Sequence, residues 1–209
     1  MLLVGRLLPN LDAVVTDPGR VDPAAAVVVG DSQAVGLDNC GIFDRLGTAT
    51  HGISGRSIED TRRWISTHPS AIRGRALVYL QVGGNDLGST PEEITQRYVN
   101  LLTTVRNINP RARIVLGTIP VRGEWLDTRA NGARARLERT LNAVNDWILA
   151  QGNGPGGFTA FDVNAIISDP RNHRNRIDRF ERRGRPDVHL NRLGYSTVAE
   201  AFVRRFFIA

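Results

Sequence analysis

Lysine is absent from the 209-residue chain; all 27 of its basic residues are arginine. Codon bias in a GC-rich genome is the plainest explanation to expect, and the chemical consequence holds regardless: Schiff-base catalysis and a lysine general base are excluded. Cysteine occurs once, at Cys40, so there is no internal disulfide and no redox compartment to read from pairing. No apolar run approaches the ~20 residues that span a bilayer. Met1–Leu8 is too short and too interrupted to resemble a signal peptide. The expectation is therefore a cytoplasmic protein, or one released by lysis, within a larger particle or by another signal-free route. Only 21 acidic residues offset the arginines, leaving a net charge of +6 that favours encounters with anionic surfaces such as nucleic acid or a cell envelope.

What is present is an alternation of strand-like and helix-like segments. Residues 1–22 carry proline and aspartate without periodicity and read as an arm ahead of one domain, 23–209. Ala24–Val29 predicts a first strand, Gln33–Leu46 a helix and Thr48–Ile53 a short second strand. Ser57 and Asp60 have capping-box spacing ahead of a helix that stops before His68-Pro69. Ala76–Val82 predicts a third strand. Thr90-Pro91-Glu92-Glu93 opens a helix to Ile108, with a capping threonine, a first-turn proline and acids at the positive end of the dipole. Ala112–Ile119 and Phe158–Val163 predict two more strands, separated by a helix within 130–150 whose Leu137, Leu141, Val144 and Ile148 recur at helical spacing. Asn191–Phe207 closes the chain as an amphipathic helix. This pattern predicts an α/β fold, a three-layer α/β/α sandwich around a mostly parallel sheet of about five strands.

The chemistry falls at strand ends, where parallel sheets bind ligands. Val27-Val28-Val29-Gly30-Asp31-Ser32 is an apolar β-branched run stopping abruptly at a serine, with Gly30 giving freedom for a sharp exit. Three further blocks follow in order: Gly52-Ile53-Ser54-Gly55, Gly83-Gly84-Asn85-Asp86, and His189-Leu190-Asn191 before Gly194-Tyr195. Singly each is weak, and Ser32 alone reads best as a helix cap. Together, over roughly residues 24–205, they resemble the SGNH hydrolases, also called the GDSL esterase/lipase family, whose sheet is flavodoxin-like.

The resemblance implies that Ser32 is a nucleophile and His189 its general base, because a serine hydroxyl attacks effectively only as an imidazole removes its proton. It implies an oxyanion hole from the Ser32 N–H, the Gly55 N–H and the Asn85 side-chain amide. The expected activity is hydrolysis of a carboxylic ester through an acyl-enzyme. A short acyl group, such as an O-acetyl on a carbohydrate or cell-envelope glycan, suits a compact chain without a long apolar lid. The same constellation serves acyl transfer and thioester hydrolysis, and a catalytically inactive glycan- or nucleic-acid-binding module is the alternative from another class. The implied partner is a small-molecule or glycan ester rather than nucleic acid, and neither a metal nor a cofactor is implied.

The chain departs from the family at the acid. An aspartate is expected three residues before the histidine, where Pro186 stands; Asp187 is only two residues before His189. Residues two apart project to the same side of an extended segment, so Asp187 reaches the imidazole only through an altered loop. Three arrangements are open: Asp187 as the acid, the Pro186 carbonyl as the acceptor, or a degenerate site. Asp187 is favoured over the carbonyl, and either over degeneracy, because Ser32, Gly55, Asn85 and His189 are all present. Asp31, Gly84 and Trp125 are candidate substrate contacts, with Asp31 and Asp86 also reading as loop-bracing acceptors. Trp147 and Tyr79 read as packing residues. His51, His68 and His173 match no metal-ligand spacing. The arginine-rich segment 171–185 reads as a solvated surface, or as a rim attracting anionic substrates.

Overall fold

The computed structural model describes residues 19–121, 131–152, 157–169, 172–176, 180 and 188–208. Five strands form the central sheet: β1 (Ala26–Gly30), β2 (Ala49–Gly52), β3 (Leu77–Gln81), β4 (Arg113–Gly117) and β5 (Thr159–Phe161). Their spatial order is β2-β1-β3-β4-β5, and every neighbouring pair is parallel. Strands β1 and β3 are buried along their whole length. That is why Val27-Val28-Val29 and Leu77-Val78-Tyr79-Leu80 are continuous apolar runs rather than alternating ones.

Parallel neighbours need crossovers, and the helices supply them on both faces. Helices α1 (Ser32–Asn39), α2 (Ile42–Arg45), α6 (Asn164–Ile167) and α7 (Arg192–Phe206) pack together, while α3 (Ile58–Thr67), α4 (Pro91–Ile108) and α5 (Asn131–Gly152) form the other group. A short antiparallel pair, β6 (Ser168–Asp169) with β7 (Asn172–Arg176), lies outside the sheet. Both predicted capping boxes form. The Ser57 hydroxyl accepts from Asp60 N at 3.1 Å while the Asp60 carboxylate accepts from Ser57 N at 3.2 Å, and Thr90 and Glu93 repeat the exchange at the start of α4.

Strands β4 and β5 each end two residues earlier than expected, at Gly117 and Phe161, and two further boundaries differ. Strand β1 begins two residues late, because Pro23–Ala25 form a 3-10 turn capped by the Asp22 side chain. The helix expected over Gln33–Leu46 is two helices. Gly41 adopts φ 75°, a left-handed conformation that ends one helix and redirects the next, so that Phe43 is completely buried. The chain ahead of β1 is stitched to the end of α7: Val21 N donates to Phe206 O and Ile208 N to Val21 O, both at 2.9 Å. Tyr79 is buried and Trp147 packs partly buried against the core.

Candidate active site

The sheet order reverses direction at β1: β2 lies on one side of it, and β3, β4 and β5 extend on the other. Such a switch point leaves a crevice at the carboxyl ends of the two central strands. The register aligns those ends, with Gly30 opposite both Gly52 and Gln81. The loops leaving β1, β2 and β3 therefore emerge side by side, carrying Ser32, Gly55 and Asn85.

Gly30 proves necessary for space rather than for backbone freedom. A Cβ there would overlap the Gln81 carbonyl oxygen, which accepts the Asp31 N–H at 3.2 Å. Asp31, 1% exposed, caps α1 by accepting from Gln33 N at 2.8 Å. The cap starts the helix at Ser32, whose N–H belongs to the first turn, where donors are unspent and the dipole is positive. The second loop is a turn with Arg56 N donating to Ile53 O at 3.3 Å. Its third residue, Gly55, has φ 81°, as a type II turn demands. A Cβ at Gly55 would meet nothing within 4 Å, so glycine is set there by conformation, not by crowding.

Asn85 sits in a 3-10 turn, Gly84–Asp86, and is solvent-exposed. Its amide donates one N–H to the Arg56 carbonyl at 2.9 Å. An amide nitrogen carries two hydrogens, so this bond orients the side chain and leaves the second hydrogen to project elsewhere. The neighbouring Asp86 is buried and ties the same two loops together. One oxygen accepts from Ile58 N at 3.0 Å, at the start of α3, and the other from Arg97 at 2.9 Å. Burial nevertheless pushes its carboxyl above the ordinary range, outweighing those two donors.

His189 arrives from the far end of the chain. Its Nε2 lies 2.8 Å from Ser32 Oγ, joining residues 157 positions apart. With the ring proton on Nδ1, the Ser32 hydroxyl donates to Nε2. Behind His189, Asn191 caps α7 by accepting from Gly194 N at 2.9 Å. Its own N–H donates to Phe180 O at 2.9 Å. Asp187, Pro186 and Trp125 lie outside the described residues, as does most of the arginine-rich segment. Gly84 is half-buried at the start of the Asn85 turn. Among the described residues no three metal-ligating side chains cluster, and no helix is long and apolar enough to cross a membrane.

Several contributors escaped the sequence reading. Arg56 offers its carbonyl to Asn85 while its guanidinium lies 5.0 Å over the Trp64 ring. Burial lowers its pKa. Trp64 in turn contacts His51 at 5.0 Å and stacks on His68 at 4.9 Å between ring centroids. Arg97 and Gln33 likewise carry no local signal, since a surface-type residue in a helix gives no hint of a distant carboxylate or carbonyl.

The profile of the GDSL-like lipase/acylhydrolase family matches residues 28–196, and the chain belongs to that family. Comparison with curated proteins yields no match. Solved structures resemble it in fold. A GDSL-like lipase from Bacteroides thetaiotaomicron superposes with TM-score 0.69 at 14% identity, covering 88% of this chain and 88% of that one. The OSK domain of Drosophila Oskar gives 0.65 at 15% identity, covering 85% and 86%. The C-terminal catalytic domain of a Streptococcus pneumoniae peptidoglycan O-acetyltransferase A gives 0.60 at 14% identity, covering 90% and 93%.

Proposed function

We propose that the protein is a serine esterase in which Ser32 is the nucleophile, His189 the general base, and the Ser32 N–H, Gly55 N–H and Asn85 amide the oxyanion hole. The observation that carries the reading is the 2.8 Å contact between Ser32 Oγ and His189 Nε2, within the reach a nucleophile and base require. Ser32 Oγ attacks the ester carbonyl as its proton passes to His189. The carbonyl oxygen becomes an oxyanion met by the donors of the β1, β2 and β3 loops. The alkoxide departs with the His189 proton, leaving an acyl-serine. Water, deprotonated by His189, then attacks that acyl group and restores Ser32. Asp187 is assigned to orient the imidazole and stabilise its charged form, within a catalytic domain spanning 23–209.

The proposed substrate is a short acyl ester, with an O-acetyl group on a glycan as the leading example. The family relationship supports an acyl ester, and the O-acetyltransferase among the fold neighbours supports the choice of an acetyl-sized group. The test is covalent labelling by a fluorophosphonate probe, with a p-nitrophenyl ester series of increasing chain length alongside. Wild type is expected to label and Ser32→Ala not to, with turnover greatest for acetate or propionate. Folded wild-type protein that fails to label at Ser32 is inconsistent with an esterase and points to a binding module instead.

A further inference from the structure

The Ser32–His189 distance depends on two elements that meet only in the folded chain, so something must register α1 against the loop before α7. Gln33, the residue after the nucleophile, is 7% exposed and Tyr195 is 5% exposed. The Tyr195 hydroxyl donates to Gln33 Oε1 at 3.0 Å. The other end of the same amide donates from Nε2 to the Val188 carbonyl at 3.3 Å. Val188 immediately precedes His189, so one side chain spans from the residue beside the nucleophile to the residue beside the base. The Gln33 main chain is held independently by the Asp31 carboxylate at 2.8 Å, which makes α1 the fixed end of the bridge.

The closeness of α1 and α7 is built in at a second point. Gly36 lies inside α1, where glycine is disfavoured, and a Cβ there would overlap the Tyr195 ring. Glycine is what lets the ring reach the Gln33 amide. An amide is also the group the bridge needs, since it presents an acceptor to the phenol and a donor to the carbonyl. Leucine offers neither, and glutamate turns the donor facing Val188 into a second acceptor.

We infer that Gln33 and Tyr195 form a positioning pair that sets the approach of the His189 imidazole to Ser32, an inference that rests on the catalytic reading above. The pair touches no substrate; it acts through the main chain at residue 188. Because about 1 Å of misplacement at a reacting centre costs on the order of a hundredfold in rate, loss of a 3.3 Å tether is expected to slow the serine without abolishing it.

The experiment compares fluorophosphonate labelling rates and p-nitrophenyl acetate kinetics for wild type, Ser32→Ala, Gln33→Leu, Gln33→Glu, Tyr195→Phe and the double variant Gln33→Leu/Tyr195→Phe, with thermal unfolding of each. Gln33→Leu and Gln33→Glu should label about tenfold more slowly or worse, with kcat falling and KM within about twofold. The double variant removes the phenol and the amide together and leaves only the half-buried Val188 carbonyl without the Gln33 donor, so its stability should return part of the way towards wild type while labelling stays slow. Labelling that recovers in step with stability would make the pair a packing feature and overturn the inference. Wild-type labelling rates in well-folded Gln33→Leu and Gln33→Glu would overturn it equally. If wild type itself does not label at Ser32, the esterase reading and this inference fall together, an outcome distinct from both of the others.

Discussion

Asp86→Ala isolates the brace behind the proposed oxyanion hole. The Asp86 side chain is fully buried, whereas that of Arg97 is 35% exposed. Deleting the carboxylate strands the N–H of Ile58, a residue with 0% exposure, and an unsatisfied buried donor costs about 1–3 kcal/mol. Loss of the Arg97 pair adds at most about 1 kcal/mol, because water can take over a partly exposed guanidinium. Relief of the buried charge works in the opposite direction, as the raised pKa of Asp86 implies. The balance is a loss of about 2 kcal/mol, which for a domain of this size corresponds to a fall of about 4–8 °C in Tm. Asp86→Asn keeps an oxygen for Ile58 and should lose about half as much. The pH dependence has a definite sign. A carboxyl whose folded pKa lies above its unfolded value binds more protons in the native state, so its contribution falls as pH rises through that window. The stability gap between wild type and Asp86→Ala should therefore be wider near pH 4, close to the unfolded pKa, than near pH 7. Differential scanning calorimetry across pH reads all of this. A Tm for Asp86→Ala within about a degree of wild type, or Asn as damaging as Ala, would refute the reasoning.

Two other outcomes are expected. Asn85→Ala should lower kcat by about 10²–10³ with little change in KM, the cost of one oxyanion donor, and ester hydrolysis kinetics check it. His51 has its pKa lowered below 6.5, first by burial and then by the nearby Arg75 and Arg56 and by His68, with Asp38 opposing. Its neutral form is favoured in the fold, so its contribution is present above about pH 6.5 and is lost as pH falls towards the folded pKa. Replacing His51 by phenylalanine should flatten the pH dependence of Tm between about pH 5 and 8; an unchanged slope would show that the imidazole contributes nothing there.

Much of the fold was legible locally. Continuous apolar runs bounded by glycine mark strands buried on both faces, and the two capping boxes declare their helices within four residues. Both are short-range signals, and they appear where the sequence places them. The break at Gly41 was not legible, since a glycine inside an otherwise helical pattern is ambiguous until the burial of Phe43 shows what the turn achieves. Gly30 misled in its reason: the position needs a missing Cβ because the Gln81 carbonyl of the neighbouring strand passes there, and no local pattern reveals a neighbouring strand.

By itself, the sequence determined the strand–helix alternation, the four motif blocks and hence the family, because these depend on residue types within a few positions of one another. Only the tertiary structure decided which groups meet. It aligned the ends of β1, β2 and β3, spent one Asn85 hydrogen on Arg56, buried Asp86 between Ile58 and Arg97, and set His189 2.8 Å from Ser32. The physical reason is distance along the chain. Contacts between residues 11 to 162 positions apart are created by packing α1 and α7 on one face of the sheet and α3 and α4 on the other. No residue signals such a partner until the layers have closed.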